Sequence, residues 1–214
     1  MSNYWGFDVS YYPGNAAMNA WFNKYKFTGF YLAPAPNRTD TSWMNKKDYL
    51  DSIGYGYLPI YLGWQEGSPN LTTAIGKSDA HAAANLASTA GFPSNSYIYL
   101  DIETGGLLSS NFINYIVGWV SEIENHTNYS AGIYCSYLQT ADQILNATGG
   151  YAVRFWVFHI DTTITPGSGS APSPSNSGIS YARAWQFRQN YSQTVGGYTI
   201  SADYNTSMYS DPSQ

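Results

Sequence analysis

Lys77 to Glu103 reads KSDAHAAANLASTAGFPSNSYIYLDIE, and the order of its parts decides the fold. Its first half, Lys77–Ala90, is rich in alanine, the best helix former, and runs into Gly91-Phe92-Pro93, where a helix stops. Its second half, Tyr97–Asp101, is a short aromatic and aliphatic run with no polar alternation, as expected of a strand buried on both faces. Two acids, Asp101 and Glu103, then stand where the strand ends. The stretch is a helix delivering a strand that delivers carboxylates.

The same unit recurs in both directions. Further strands are expected at Trp5–Ser10, Gly29–Leu32, Gly56–Tyr61, Ala131–Cys135, Val153–Phe158, Arg183–Phe187 and Thr199–Asp203. Helices are expected between them at Asn15–Tyr25, Trp43–Ile53, Asn111–Asn125 and Leu138–Asn146, the first with an Asn available as its cap. Such alternation needs crossover connections and therefore a parallel sheet. Eight strands in 214 residues predict an α/β fold, a compact (β/α)8 TIM-like barrel occupying residues 1–214 as one domain. The last units look degenerate, because Ile164–Gly178 (ITPGSGSAPSPSNSG) is a Gly/Ser/Pro loop in place of a helix. Loops of that length are usually functional or mobile. An open doubly wound sheet is the rival, but no glycine-rich phosphate loop follows the first strand.

Composition limits the function classes. The chain is 43% hydrophobic, 17% aromatic and only 11% charged, with a net charge of −5 and nine Lys plus Arg. That is ample material for a core and too many aromatics for disorder. No basic run interleaves with aromatics, so a nucleic-acid partner is not expected. No stretch approaches eighteen uninterrupted apolar residues, so no membrane span is expected. Cys135 is the only cysteine and can form no intrachain disulfide. The start, MSNYWGFDVS, lacks the basic and apolar regions of a signal peptide. Sequons at Asn37, Asn70, Asn125, Asn128, Asn146, Asn190 and Asn205 are a weak pointer to secretion in a chain this rich in Asn, Ser and Thr.

In a parallel barrel the active site forms at the C-terminal ends of the strands. Asp8 falls near the end of the first expected strand, Asp101 ends the fourth, Glu103 follows two residues on, and Asp203 ends the eighth. Closure makes strands one and eight neighbours, so Asp8 and Asp203 should approach each other. Residues two apart on a strand point the same way, so Asp101 and Glu103 can both face the mouth. Acids crowded at one rim raise at least one pKa, which is how a carboxyl stays protonated as a general acid. Glycoside cleavage needs that proton donor together with a negative group to support an oxocarbenium-like centre. Glu103 has the longer reach and is the candidate acid, with Asp101 orienting substrate or stabilising charge. The plain alternative is that these acids only cap helices and bind loop backbone.

Flat aromatic walls suit the apolar faces of sugars. Trp64, Tyr31, Tyr134, Trp156 and Trp185 are the candidates for substrate binding, with Gln186 to orient a hydroxyl or acetamido group. Each aromatic also fits core packing. A Cys135–His159 nucleophilic pair has no identifiable third member. The histidines lack zinc spacing, and no metal site or cofactor is expected, although the acids could in principle hold Mg²⁺ or Ca²⁺.

Gly6-Phe7-Asp8-Val9-Ser10, Leu100-Asp101-Ile102-Glu103, Ala184-Trp185-Gln186-Phe187 and Asp203-Tyr204-Asn205 resemble, in order and spacing, the motifs of glycoside hydrolase family 25 lysozymes. The stretch Gly29–Trp64 is similar to a relative, the bacterial glycoside hydrolase-like domain. The resemblance implies a β/α barrel acting on peptidoglycan or a related glycan, outside the cell by secretion or delivery. It implies that Glu103 is the general acid and that Asp101 holds the substrate's 2-acetamido group as an internal nucleophile, with retention of configuration. Asp8 and Asp203 would surround the cleaved bond. The alternative is a glycan-binding or inactive barrel of the same kind.

Overall fold

A computed structural model describes Ser2–Gln214. Eight strands close into a barrel in chain order: β1 (Tyr4–Asp8), β2 (Phe27–Tyr31), β3 (Gly56–Tyr61), β4 (Tyr97–Asp101), β5 (Ser130–Ser136), β6 (Arg154–Phe158), β7 (Ala182–Val195) and β8 (Tyr198–Ser207). Five helices lie between them: α1 (Asn15–Trp21), α2 (Lys47–Ile53), α3 (Thr73–Thr89), α4 (Ser110–His126) and α5 (Gln139–Ala147). Thr72 and Ser109 cap the two long helices, their hydroxyls accepting from Ile75 and Phe112 N–H. The expected Asn cap of α1 is not used. Gly14 holds that position with φ 97°, and α1 ends four residues early. α2 likewise starts late, because Trp43 is spent packing on Tyr12 and donating from its indole to the Val9 carbonyl.

The expectation of an all-parallel sheet is corrected at the end of the chain. β8 runs antiparallel to both β7 and β1. β7 and β8 form a long hairpin around Gly196-Gly197, both at positive φ (58° and 85°), the backbone that a tight two-residue hairpin turn requires. A two-residue turn leaves no room for a crossover, so β8 must come back down. The hairpin stands in place of the missing helices. Trp21 of α1 donates to the Tyr198 carbonyl, and Tyr204 packs on Trp21 and Tyr25.

The Ile164–Gly178 loop is tied down rather than draped over the mouth. Trp5 Nε1 donates to the Gly169 carbonyl (3.1 Å), Asn3 to the Ala171 carbonyl (3.3 Å) and Gln193 to the Pro166 carbonyl (3.0 Å). Asn3 and Trp5 lie at the start of the chain's first strand and Gln193 on the hairpin beyond the acids, so the loop runs along the barrel's flank.

Strand alternation sorts side chains into two cores. Phe27, Leu58, Ile60, Tyr99, Tyr134, Trp156 and Ala184 fill the barrel. Their sequence neighbours, among them Phe30, Leu100, Ile133, Cys135, Val157 and Trp185, pack outward under the helices. Burying each large side chain contributes about 1.5–3 kcal/mol. Gly76 and Gly118 let α3 and α4 approach, since a Cβ there would sit 2.1 Å from the Tyr115 carbonyl and 2.4 Å from the Thr73 carbonyl.

The C-terminal tail plugs the lower end. Tyr57 N–H donates to Asp211 Oδ1, Tyr97 N–H to the Ser213 carbonyl, and Arg154 Nη1 to the Pro212 and Gln214 carbonyls. The barrel therefore opens only toward the ends of β1 to β6. No helix among the described residues is long and apolar enough to cross a membrane.

Candidate active site

Above the aromatic filling lies a cavity of about 140 Å³ lined by Asp8, Tyr31, Asp101, Glu103, Tyr134, Trp156, Gln186, Gln189 and Asp203. Ligand pockets usually hold about 300–1,000 Å³. This one is smaller, and a second cavity of about 130 Å³ adjoins it, sharing Asp8, Tyr31 and Asp203. Glycine makes the room: a Cβ on Gly29 of β2 would lie 2.5 Å from Asp8 Cβ.

Asp8 ends β1 and points inward, 4% exposed. Its Oδ2 accepts from Asn205 Nδ2 at 2.7 Å and from Gln186 Nε2 at 3.4 Å, and its Oδ1 from the Tyr31 hydroxyl at 3.3 Å. Burial and then the charge of Asp203 hold its carboxyl well above the usual range, against the pull of the donors. Asp203 faces Asp8 directly across the β1–β8 ladder. It accepts from Gln186 Nε2 (2.9 Å) and from the Asn190 backbone N–H (2.7 Å), and burial followed by Glu103 raises it too. The two acids meet as expected, but Asp203 is mid-strand on a descending β8 rather than at the end of a rising one.

Asp101 ends β4 and is 5% exposed, and its Oδ1 has no hydrogen-bond partner. Burial, then the neighbouring Glu103, push its carboxyl well above the usual range. No Lys or Arg forms an ion pair with it among the described residues. The nearest guanidinium, Arg38, lies 4.0 Å over the Tyr31 ring and bonds to Asp40 and the Ser10 carbonyl instead. Glu103 is exposed, two residues past the strand. Gln65 clamps that stretch: its Nε2 donates to the Asp101 carbonyl (2.8 Å) and its Oε1 accepts from the Glu103 N–H (3.0 Å).

The cavity thus gathers the four expected acids with Tyr31, Tyr134, Trp156 and Gln186. It does not include Trp64 or Trp185. Trp64 sits half-buried on the β3–α3 loop and packs on the outer core. Trp185 is 1% exposed, faces away from the barrel interior because its neighbour Gln186 faces in, and donates to the His159 carbonyl at 2.7 Å. Gln189 joins the cavity without a signal in the sequence, whereas Gln65 lies in the Trp64-Gln65-Glu66 loop after β3 and Asn205 in the Asp203-Tyr204-Asn205 motif, two residues from Asp203 and so on the same strand face.

Two other readings find no support in the geometry. Cys135 points into the outer core, where burial pushes its thiol up. His159 stacks on Tyr137 and bonds to the Ser177 carbonyl. Among the described residues no three His, Cys, Asp or Glu side chains are placed to hold one metal ion.

Comparison with known proteins follows the same lines. Residues 19–207 match the family model described as the Rv2525c-like, glycoside hydrolase-like domain. The uncharacterized protein FadG of Bacillus subtilis is 30% identical over 175 residues, covering 68% of this chain and 30% of FadG, so the chain spans under a third of that relative's length. The Tat-secreted protein Rv2525c of Mycobacterium tuberculosis superposes with a TM-score of 0.65 at 17% identity, over 97% of this chain and 96% of that one. A bacterial lysozyme from Streptomyces coelicolor gives 0.61 at 18% identity, over 98% and 94%.

Proposed function

The chain belongs to the Rv2525c-like, glycoside hydrolase-like domain family, and on that footing we propose that it is a muramidase-like glycosidase cleaving peptidoglycan or a related N-acetylated glycan. The observation that carries this reading is the buried, unpartnered Oδ1 of Asp101 beside an exposed Glu103 at the wall of the cavity. An acceptor held dry and unpaired is costly, and persists where a ligand supplies the donor.

In this reading the 2-acetamido N–H donates to Asp101, whose raised proton affinity makes it a strong acceptor. Glu103 gives its proton to the glycosidic oxygen as the bond to the anomeric carbon breaks. The acetamido oxygen attacks that carbon from the opposite face, forming an oxazolinium that Asp101 stabilises. Glu103, now a carboxylate, takes a proton from water as the water oxygen opens the ring. Two inversions give net retention. Asp8 and Asp203 supply negative potential opposite the developing positive charge.

A glycan substrate of this kind lies outside the cytoplasm, which fits a secreted or delivered protein. The test is incubation with purified peptidoglycan and a panel of other glycans, reading new reducing ends. Wild type is expected to release them, and Glu103→Gln to lose about 10²–10⁴-fold of the rate, the usual contribution of general acid catalysis. No release from any glycan, or equal release by both proteins, overturns the proposal. Binding without turnover would instead mark a glycan-binding barrel.

A further inference from the structure

Two primary amides sit among the acids, and one of them has its direction fixed by a neighbour. Trp156 Nε1 donates to Asn205 Oδ1 at 2.9 Å. An indole N–H can only donate. Asn205 must therefore turn its oxygen to Trp156 and its Nδ2 to Asp8, where it lies 2.7 Å from Oδ2. Gln186 repeats the pattern one strand over: its Oε1 accepts from the Tyr134 hydroxyl, and its Nε2 faces Asp203 and Asp8. All four of these residues are buried.

We propose that Trp156 and Asn205 are positioning residues that clamp one oxygen of Asp8, leaving Oδ1 beside Tyr31 as its single oxygen able to take or give a proton. A free asparagine could flip and present its oxygen, which would repel the carboxylate. The indole forbids that flip at the cost of a buried polar contact inside an otherwise aromatic barrel. The consequence for catalysis rests on the glycosidase reading, whereas the clamp itself does not. The other groups acting on Asp8 are Asp203 from β8, Glu103 and Asp101 from β4 and its loop, Tyr31 from β2 and Tyr134 from β5.

The test is carboxyl ¹³C NMR of Asp8 against pH in wild type, Asn205→Leu and Trp156→Phe. Loss of a donor to a carboxylate disfavours the charged form, so the Asp8 midpoint should rise by about one pKa unit in Asn205→Leu. In Trp156→Phe it should rise less, because Asn205 is freed rather than removed. In wild type the Asn205 side-chain amide proton should shift with Asp8 ionisation, and that shift should vanish in Asp8→Asn. Where glycan cleavage is measurable, the acid limb of the kcat profile should move with the NMR midpoint. Unchanged midpoints in both folded variants overturn the clamp. If those variants do not fold, an Asn205 amide in wild type that ignores Asp8 ionisation overturns it. A wild type that cleaves no glycan but shows the coupled titration would sink the glycosidase reading alone.

Discussion

Replacing Asp101 by Asn should make the protein more stable at neutral pH while damaging the proposed chemistry. Asp101 is 5% exposed, its Oδ1 has no partner, and no cation pairs with it among the described residues. An unsatisfied buried polar group costs about 1–3 kcal/mol, and more when charged. Asn has the same shape, no charge, and an amide that can donate to the adjacent Glu103 carboxylate. A gain of about 1–3 kcal/mol at pH 7 follows, or roughly 2–12 °C in Tm for a chain of this length. The pH dependence carries the sign. Burial and Glu103 raise the folded-state pKa of Asp101 above its ordinary value of 3.8, so the folded state binds the proton more tightly than the unfolded. Wild-type stability from this group is then full below 3.8 and is lost as pH rises through the folded pKa. The amide of the Asp101→Asn variant cannot titrate, so the gap between variant and wild type should widen as pH rises and close on acidification. Asp8 and Asp203 share the direction of shift but are present in both proteins and largely drop out of the difference. Urea unfolding at a series of pH values from about 3.5 upward follows that loss of stability. A variant less stable than wild type at pH 7, or a gap that widens toward acid, would refute the reasoning.

Three further outcomes are expected. Gln65→Ala removes the clamp between the Asp101 carbonyl and the Glu103 N–H, so glycan release should fall by about tenfold in kcat with KM little changed, and equal kcat would discount the clamp. Gly56→Ala puts a Cβ 2.1 Å from the Ser210 carbonyl and 2.4 Å from Asp211 Cα, so the tail must move. A loss of about 1–3 kcal/mol in urea unfolding is expected, with glycan release retained in the folded fraction. Cys135 is buried with its thiol pushed up, so native protein should resist iodoacetamide and react only after denaturation, and rapid native labelling would contradict that.

The strands were legible because β1 to β6 are short apolar runs between helix signals, and all eight expected strands exist. The direction of β8 was not read. Its signal was Val195-Gly196-Gly197-Tyr198, two turn glycines between β-forming residues, which marks a hairpin. The parallel sheet expected from the first six strands extends over it, although no helix is expected between the last two strands. The error still allowed Asp8 and Asp203 to be placed together, since closure puts β8 beside β1 whichever way it runs. The acids themselves were legible because a charge at the end of an apolar strand has few structural reasons to be there. The roles of Gln65, Gln189 and Asn205 are not legible, because an amide's role depends on which side chain it meets across the barrel, and only register supplies that. Trp64 and Trp185 lie outside the cavity for the converse reason: aromatic residues serve core and site alike, and only the face they occupy separates the two.

The reversed β8 also changes what kind of site the barrel can build. When every strand rises, only terminal residues reach the mouth, and they stand where ladder hydrogen bonding stops. Here β7 and β8 continue beyond Gln186 and Asp203, the Gln186–Asn205 pair lies inside their ladder, and Asp203 pairs with Asp8 at the last step of the β1–β8 ladder, opposite an irregular stretch of β7. Asn205 and Gln186 are held by that ladder and bond in turn to Asp8 and Asp203, so the two acids and their two amides form the better-braced half of the site. Asp101 and Glu103 form the other half, where the strand has ended and Gln65 holds the turn. That division suits the proposed chemistry. Groups that present a fixed field gain from rigidity, whereas a group that gives a proton to one oxygen and takes it back from another must follow the substrate. The acid that has to move is therefore the exposed one on the loop.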